Sequence, residues 1–468
     1  MLAARYLGVK DFGVYAFIKV IGMTLSPIIT FGVLRILIRE ISVKKEKATL
    51  LVCSGLMVNT LMLIVVSMIA FIVAQIFDLT TTILLISLYL TLLSQALMVM
   101  TNTVGSVFIA YEKMAYDFFV TIVVRIAGLF FFGIAIFCDV GLIGLFFSLV
   151  VADLLGLIIA IILLSCRFSE FKWSLDFQYL SYLFKECYLL AASSFLSLAY
   201  THINVFLLKL FWNTTQISLF QAPQRIIQPL LLIPRSFSLA FVPVFSRMAD
   251  RGEPYSDLKN AYHRTAKYIL IFIFPLCVFG TAYAPWIISI VLGNAFSEAI
   301  FPFQILVWTL VPLFINIFLD FILISMRQQN VLVVGNGLSL GVSFTIGLLL
   351  VQKYGYLGAC WATLLSHGVL VTCNYYFVSK CLGLLPAYRV ILPPAIASSA
   401  MGAMLIGYSN TIHIILLSIG AAGAYMGLIF LMKGITREEL VFLKQAVLLN
   451  IKKRCWQSGP VPKNTKGE

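Results

Sequence analysis

The chain has 468 residues, of which 61% are hydrophobic and only 11% charged, and it carries a formal net charge of +14. A mean hydropathy of +1.01 excludes a soluble globular enzyme and places the chain among polytopic membrane proteins. The basic excess does not mark a nucleic-acid binder, because it is distributed over alternate loops and so reads as a topology signal.

Apolar runs of about 20 residues or more, long enough to cross hydrocarbon, number thirteen: 12–38, 49–77, 80–110, 115–137, 141–165, 187–211, 217–245, 268–293, 300–325, 331–352, 355–378, 389–408 and 411–432. One alternating set of loops holds Arg39, Lys44, Lys45, Lys47, Lys113, Arg167, Lys172, Lys185, Arg247, Arg251, Lys259, Arg264, Lys267, Arg327, Lys380 and Arg389, followed by the basic C-terminal tail. The other set holds only Arg5, Lys10 and Lys353. The positive-inside rule therefore puts the first set and the C-terminus in the cytoplasm, with Met1 outside. No short apolar run is followed by a small-residue cleavage site. The nine cysteines show no C-x-x-C spacing and fall mostly within spans, which argues for neither a metal site nor a disulfide framework.

The first span contains a central Pro27, with Lys19 in its outer half and Arg35 near its inner end. Lys19 either snorkels to the headgroups or faces a cavity. Arg125 lies near the middle of 115–137 and Asp153 near the middle of the next span. An unpaired charge at that depth costs about 2.5–3.5 kcal/mol on insertion scales, so the two are expected to pair, either structurally or as a switch. From Arg167 to Glu186 the chain becomes amphipathic, as an interfacial helix joining two lobes would be.

The stretch 210–251, LFWNTTQISLFQAPQRIIQPLLLIPRSFSLAFVPVFSRMADR, is the least ordinary. Pro223, Pro229, Pro234 and Pro243 each remove a backbone donor, and Arg225 and Arg235 place cations in an apolar run that also holds Gln221, Gln224 and Gln228. Such a segment reads as the wall of a polar cavity. Further on, Asp320 sits about a turn and a half from the inner end of its span, where it either reaches the interface or serves in coupling. Gly335, Gly337 and Gly341 follow no strand and suit helix packing better than a nucleotide loop. His367 reads as a helix contact. After Gly434, Thr436 and Glu439 form a capping box, and Leu440, Leu443, Val447 and Ile451 make one apolar stripe, as in a surface helix followed by a basic tail.

An offset of 205 aligns Gly13 with Ser218, Val14 with Leu219 and Tyr15 with Phe220, and it carries Pro27 to a position between Pro229 and Pro234. Two related halves are expected of a transporter. The second copy follows a complete span, 187–211, whereas only Met1, Leu2 and Ala3 precede the first, so a first helix is expected to be missing. Restoring it would move the N-terminus to the cytoplasm.

Three stretches, ARYLGVKDFGVYAF, ISLFQAPQRIIQPLLLIPRSFSLAFVPVFSRM and APWIISIVLGNAFSEAIFPFQIL, together resemble the Wzx-type lipid-linked oligosaccharide flippases of the multidrug, oligosaccharidyl-lipid and polysaccharide exporter (MOP) superfamily. The resemblance implies an all-α polytopic membrane protein with a MATE-like fold. Its parts are an N-terminal lobe over 1–166 with five helices and a cytoplasmic linker helix over 167–186. A six-helix C-terminal lobe spans 187–378, two additional helices span 388–433, and an amphipathic helix and basic tail span 435–468.

It also implies that an undecaprenyl-pyrophosphate-linked oligosaccharide moves from the inner to the outer leaflet of a bacterial cytoplasmic membrane by alternating access, with no cofactor and no metal. The partners it raises are the lipid bilayer, a polysaccharide polymerase, and H+ or Na+ as coupling ion. Cationic side chains can replace water around a pyrophosphate, which makes Arg225, Arg235, Lys19, Arg35 and Arg125 the candidate binding residues. Asp153 and Asp320 are candidates for an ion pair or for coupling. Relatives often have an acidic residue where this chain has Asn204.

A MATE-type cation or drug antiporter would need intramembrane carboxylates. Here only Asp153 and Asp320 stand against Lys19, Arg35, Arg125, Lys209, Arg225 and Arg235, a balance that favours an anionic substrate. A lipid II flippase is chemically closer. A membrane polymerase or ligase needs a sizeable outer loop, and no Gly-Lys-Ser/Thr phosphate loop marks an ATPase.

Overall fold

In the computed structural model, the described residues are 1–43, 45–167, 177–235, 255–325, 328–383, 387–406 and 414–432. Among them every regular element is helical. The proline-bearing stretch beyond Arg235, residues 168–176 of the expected linker and the amphipathic tail over 435–468 lie outside the described residues.

The first expected span is a pair of helices, α1 (Leu2–Thr30) and α2 (Val33–Val43). α1 starts before the apolar run and bends at Gly8, whose φ of 69° suits a residue without Cβ. It ends where Phe31 turns left-handed and its amide bonds back to Pro27 O at 2.9 Å. Three long helices follow, α3 (Ala48–Ile76), α4 (Thr82–Ala110) and α5 (Met114–Phe137), and then α6 (Gly141–Arg167). α5 buries only Val120 and Ala135 while leaving Phe118, Ile126 and Phe130 exposed, as a helix with one face toward lipid should.

α7 (Phe177–Phe211) runs unbroken for 35 residues from the amphipathic stretch through the expected 187–211 span. Its beginning belongs to the buried cluster around Val33, Leu37, Val52 and Phe108, through Leu183 and Cys187. Its opening turns are tied to α2 by Arg39, which pairs with Glu186 at 3.4 Å and with Glu40 at 3.0 Å.

α8 (Thr214–Ile227) begins at Asn213, whose side chain accepts the Gln216 amide at 3.2 Å. Losing such a cap costs about 1 kcal/mol, so Asn213→Ala should lower the thermal midpoint of the detergent-solubilised protein without changing its helix content. A 3₁₀ turn, Gln228–Leu231, continues the chain. Pro223 lies inside α8 and Pro229 inside the 3₁₀ turn, so the helical path persists through both prolines while its hydrogen-bonding pattern changes.

The expected 268–293 span is two helices, α9 (Tyr255–Ala282) and the short α10 (Ala284–Val291), and a 3₁₀ segment, Asn294–Ala299, leads on. α11 (Ile300–Val307) and α12 (Leu310–Ser325) form a span bent by 41° between Asn294–Val307 and Leu310–Ile324. α13 (Gln329–Tyr354), α14 (Tyr356–Leu382), α15 (Ala387–Ile406) and α16 (Ile414–Leu431) complete the described chain. Nine helices among the described residues are long and apolar enough to cross a membrane, ten with the bent pair. Shorter apolar helices lie at Val390–Leu405 and Ser418–Leu431. The protein is therefore an all-α, multi-pass membrane protein.

The chain forms two compact units, Met1–Gly252 with Tyr283–Cys381, and Glu253–Ala282 with Leu382–Glu468. In the second unit α9 packs on α15 and α15 on α16, and the Tyr425 hydroxyl donates to Ile271 O at 2.6 Å. In the first unit α4 and α5 both pack on α6, and α7 packs on α13. There α1 touches α3, α4, α7 and α8. The two stretches related by the 205-residue offset, in α1 and α8, thus pack directly together.

Candidate functional site

The first unit encloses a cavity of about 920 Å³, near the upper end of the usual range for ligand pockets. Its wall is supplied by α1, α4, α5, α6, α7 and α8, by the segment through Arg235, and by α11 to α14. Five charged side chains line it: Lys19, Arg125, Arg235, Asp153 and Asp320. The fold thus gathers five of the seven charged candidates from segments spread over some 300 residues of sequence.

Lys19 points back along one face of α1, with its Nζ 5.7 Å from the centroid of Tyr15, also a lining residue. Asp153 Oδ2 accepts the Ser94 hydroxyl at 2.5 Å. Arg125 and Lys19 act on Asp153 electrostatically, but no ion pair within 4.0 Å joins Arg125 to Asp153 among the described residues. The pair expected from sequence is therefore a charge cluster around open space rather than a closed contact. Asp320 Oδ1 accepts Asn374 Nδ2 at 3.0 Å and its Oδ2 accepts Asn316 Nδ2 at 3.1 Å.

Arg225 and Arg35 stand elsewhere. Arg225 is partly buried, with the Tyr15 and His202 side chains and the Met1 amine in its electrostatic surroundings, while its neighbour Gln224 lines the cavity. Arg35 is exposed on α2 and is not part of the cavity wall.

Asn316, Asn336, Asn374, Tyr200 and Ser94 were not singled out by sequence reasoning. Tyr200 Oη lies 2.5 Å from His367 Nδ1, so His367 is a helix contact on the cavity wall. Asn204 Nδ2 donates to Ser343 Oγ at 3.2 Å and to Thr363 Oγ1 at 2.9 Å, joining α7 to α13 and α14. The one advance signal for the asparagines is the i, i+4 spacing of Asn316 and Asp320, which places them on one helix face.

Along α1 the first lining residue is Tyr15, and the residues before it pack against α8 and the segment from Ile290 to Phe296. A Cβ on Gly13 would overlap the backbone carbonyl of Thr214 at the start of α8. Phe12 meets Phe296 edge to face at 5.9 Å, and Arg5 donates to Val291 O at 3.2 Å and to Ile290 O. Trp212 Nε1 donates to Val351 O at 2.7 Å and the Tyr356 amide to Gln216 Oε1 at 3.0 Å, closing the same end of the bundle.

A bundle of membrane helices around a charged cavity defines the class as a transporter-like membrane protein. The family profile described as "Polysaccharide biosynthesis protein" matches residues 2–301, and the chain belongs to that family. The fold is similar to that of the lipid II flippase MurJ in an inward closed conformation, with a TM-score of 0.69 at 14% identity, covering 91% of this chain and 95% of that one. An inward-facing multidrug resistance MATE family transporter of the MOP superfamily matches with a TM-score of 0.59 at 14% identity, covering 87% and 92%. The Vibrio cholerae MATE transporter VcmN in its bent form matches at 0.56 and 15% identity, covering 81% and 92%. No curated protein matches by sequence.

Proposed function

We propose that this protein flips an undecaprenyl-pyrophosphate-linked oligosaccharide from the inner to the outer leaflet of a bacterial cytoplasmic membrane, for surface polysaccharide synthesis. The observation that carries the reading is the cavity itself, where three cations stand against two carboxylates inside a membrane bundle. Charge of that sign inside hydrocarbon is costly unless an anion or water occupies the space, and a pyrophosphate is such an anion.

Lys19, Arg125 and Arg235 are the side chains that would hold the phosphates. Arg225, behind Tyr15 and His202, would add to the field. On the positive-inside rule the basic loops and the C-terminus would lie in the cytoplasm, and the end of the cavity away from Gly13 would open there. The seal at Gly13, Phe12 and Arg5 then closes the outer side, and alternating access exchanges it for a closure at the basic end. Asp153 shares the field of Lys19 and Arg125. Phosphate binding would change its charge balance, and it is the carboxylate placed to couple substrate to H+ or Na+.

A lipid II flippase is the second reading. It is supported by the fold similarity to MurJ and shares the pyrophosphate-linked carrier.

The test is made in cells deleted for this gene. The lipid-linked oligosaccharide is expected to accumulate on the inner leaflet, and expression of this protein should release it. Normal delivery to the outer leaflet in the deleted cells, with no redundant carrier present, would overturn the reading, and trapping of lipid II alone would favour the second.

A further inference from the structure

The cavity separates its charges by helix. The cations come from α1, α5 and the segment ending at Arg235, with Asp153 of α6 beside two of them. The wall made by α7, α12, α13 and α14 contributes Tyr200, Asn316, Asp320, Asn336, Thr363 and His367, and no lysine or arginine. A phosphate placed on that wall would meet the Asp320 carboxylate. Hydroxyl groups would meet acceptors and amides instead.

The geometry around Asp320 is fixed by the protein. Asn374, only 1% exposed, donates to both Asp320 Oδ1 and Asn316 Oδ1, the latter at 2.7 Å. Asn316 in turn donates to the second carboxylate oxygen. Each oxygen of Asp320 therefore has one protein donor and keeps accepting capacity for a ligand. Asn336 also lines the cavity, and among the described residues its amide makes no hydrogen bond, leaving a donor and an acceptor open. A held carboxylate and a free amide in the same cavity match the paired donors and acceptors of sugar hydroxyls, and holding the carboxylate in advance reduces the ordering cost of binding.

We infer that Asp320 and Asn336, with Asn316 and Asn374 positioning Asp320, form the glycan-recognising subsite of the cavity, on the helices that carry no lysine or arginine, while the pyrophosphate is taken by the helices that carry the cations. The assignment rests on the flippase reading and gives the substrate one orientation in the cavity. It makes Asp320 and Asn336 determinants of sugar specificity rather than of lipid-carrier binding.

The test measures binding of two lipids to the purified full-length protein in detergent. One is bare undecaprenyl pyrophosphate, and the other is the lipid-linked glycan extracted from the cells that produce it. The wild type should prefer the glycan-bearing lipid. Asn336→Ala should bind the bare carrier within about twofold of wild type and Asp320→Asn at least as tightly as wild type, and each should lose about tenfold or more toward the glycan-bearing one, as the loss of a charged or unreplaced hydrogen bond predicts. Equal loss toward both lipids, or none toward the glycan, would overturn the subsite. A glycan preference that survives Asp320→Asn while the sodium or pH dependence of binding disappears would make Asp320 a coupling site instead. If the wild type binds neither lipid, the flippase reading itself falls.

Discussion

Arg235→Gln is expected to reduce translocation of the lipid-linked glycan by about tenfold or more, with the protein still inserted at normal abundance. Arg235 is exposed at its position in the cavity wall, and no hydrogen bond or ion pair engages it among the described residues, so its removal disturbs little packing. The lining charges are Lys19, Arg125 and Arg235 against Asp153 and Asp320, a net of +1. Removing Arg235 brings that to zero, and removing Arg125 as well makes it −1, which repels a pyrophosphate. The double variant Arg125→Gln/Arg235→Gln should therefore be inactive. The measurement is the leaflet distribution of the lipid-linked glycan in deleted cells carrying each variant, with membrane abundance followed in parallel. Wild-type release by a normally abundant double variant would remove both arginines from the pyrophosphate site.

Gly13→Leu should abolish transport for a different reason. The Cβ of any residue at position 13 meets the Thr214 carbonyl carbon and oxygen, which are backbone atoms and cannot swing aside. α1 and α8 must then separate, opening the seal that Phe12, Phe296 and Arg5 complete. On the flippase reading this end faces outward, and a protein unable to close it could not present an empty cavity to the inner leaflet. The check is labelling from outside of a cysteine placed at Tyr15 in the Gly13→Leu background. Labelling should rise and transport fall, and retained transport with unchanged labelling would show that the seal tolerates the side chain.

Much of the fold was legible in the sequence. α3 to α6 coincide with apolar runs to within a few residues, because transfer of a side chain from water to hydrocarbon depends on that side chain more than on its neighbours. The misjudged boundaries are those where polar residues continue a helix. α1 reaches back to Leu2 through Arg5, Lys10 and Asp11, and α7 reaches back to Phe177 through Lys185 and Glu186. Hydropathy ends at such residues, but backbone hydrogen bonding does not. The bent pair α11 and α12 and the break at Tyr283 lie within single apolar runs, since apolar composition carries no record of a bend.

The candidate site was legible as chemistry and not as place. Intramembrane charge alone marked Lys19, Arg125, Arg235, Asp153 and Asp320, and all five line the cavity. The same criterion marked Arg225 and Arg35, which do not. Arg225 and Arg235 share one segment and look equivalent as letters. The rotation of each residue about the helical path, set by what α1 and α12 pack against, exposes one to the cavity and leaves the other partly buried, in the electrostatic surroundings of Tyr15 and His202.

By itself the sequence determined that this protein lives in a membrane, that its basic loops alternate, and that cations outnumber carboxylates within its spans, because each follows from summing the properties of single residues. Only the tertiary structure decided that Asn316, Asp320 and Asn374 form one group across two helices, that Gly13 is a contact rather than a gap, and that the cations and Asp320 come from different walls. Those are relations between helices. They are set by how side chains interdigitate when the bundle packs, a property that no single segment carries.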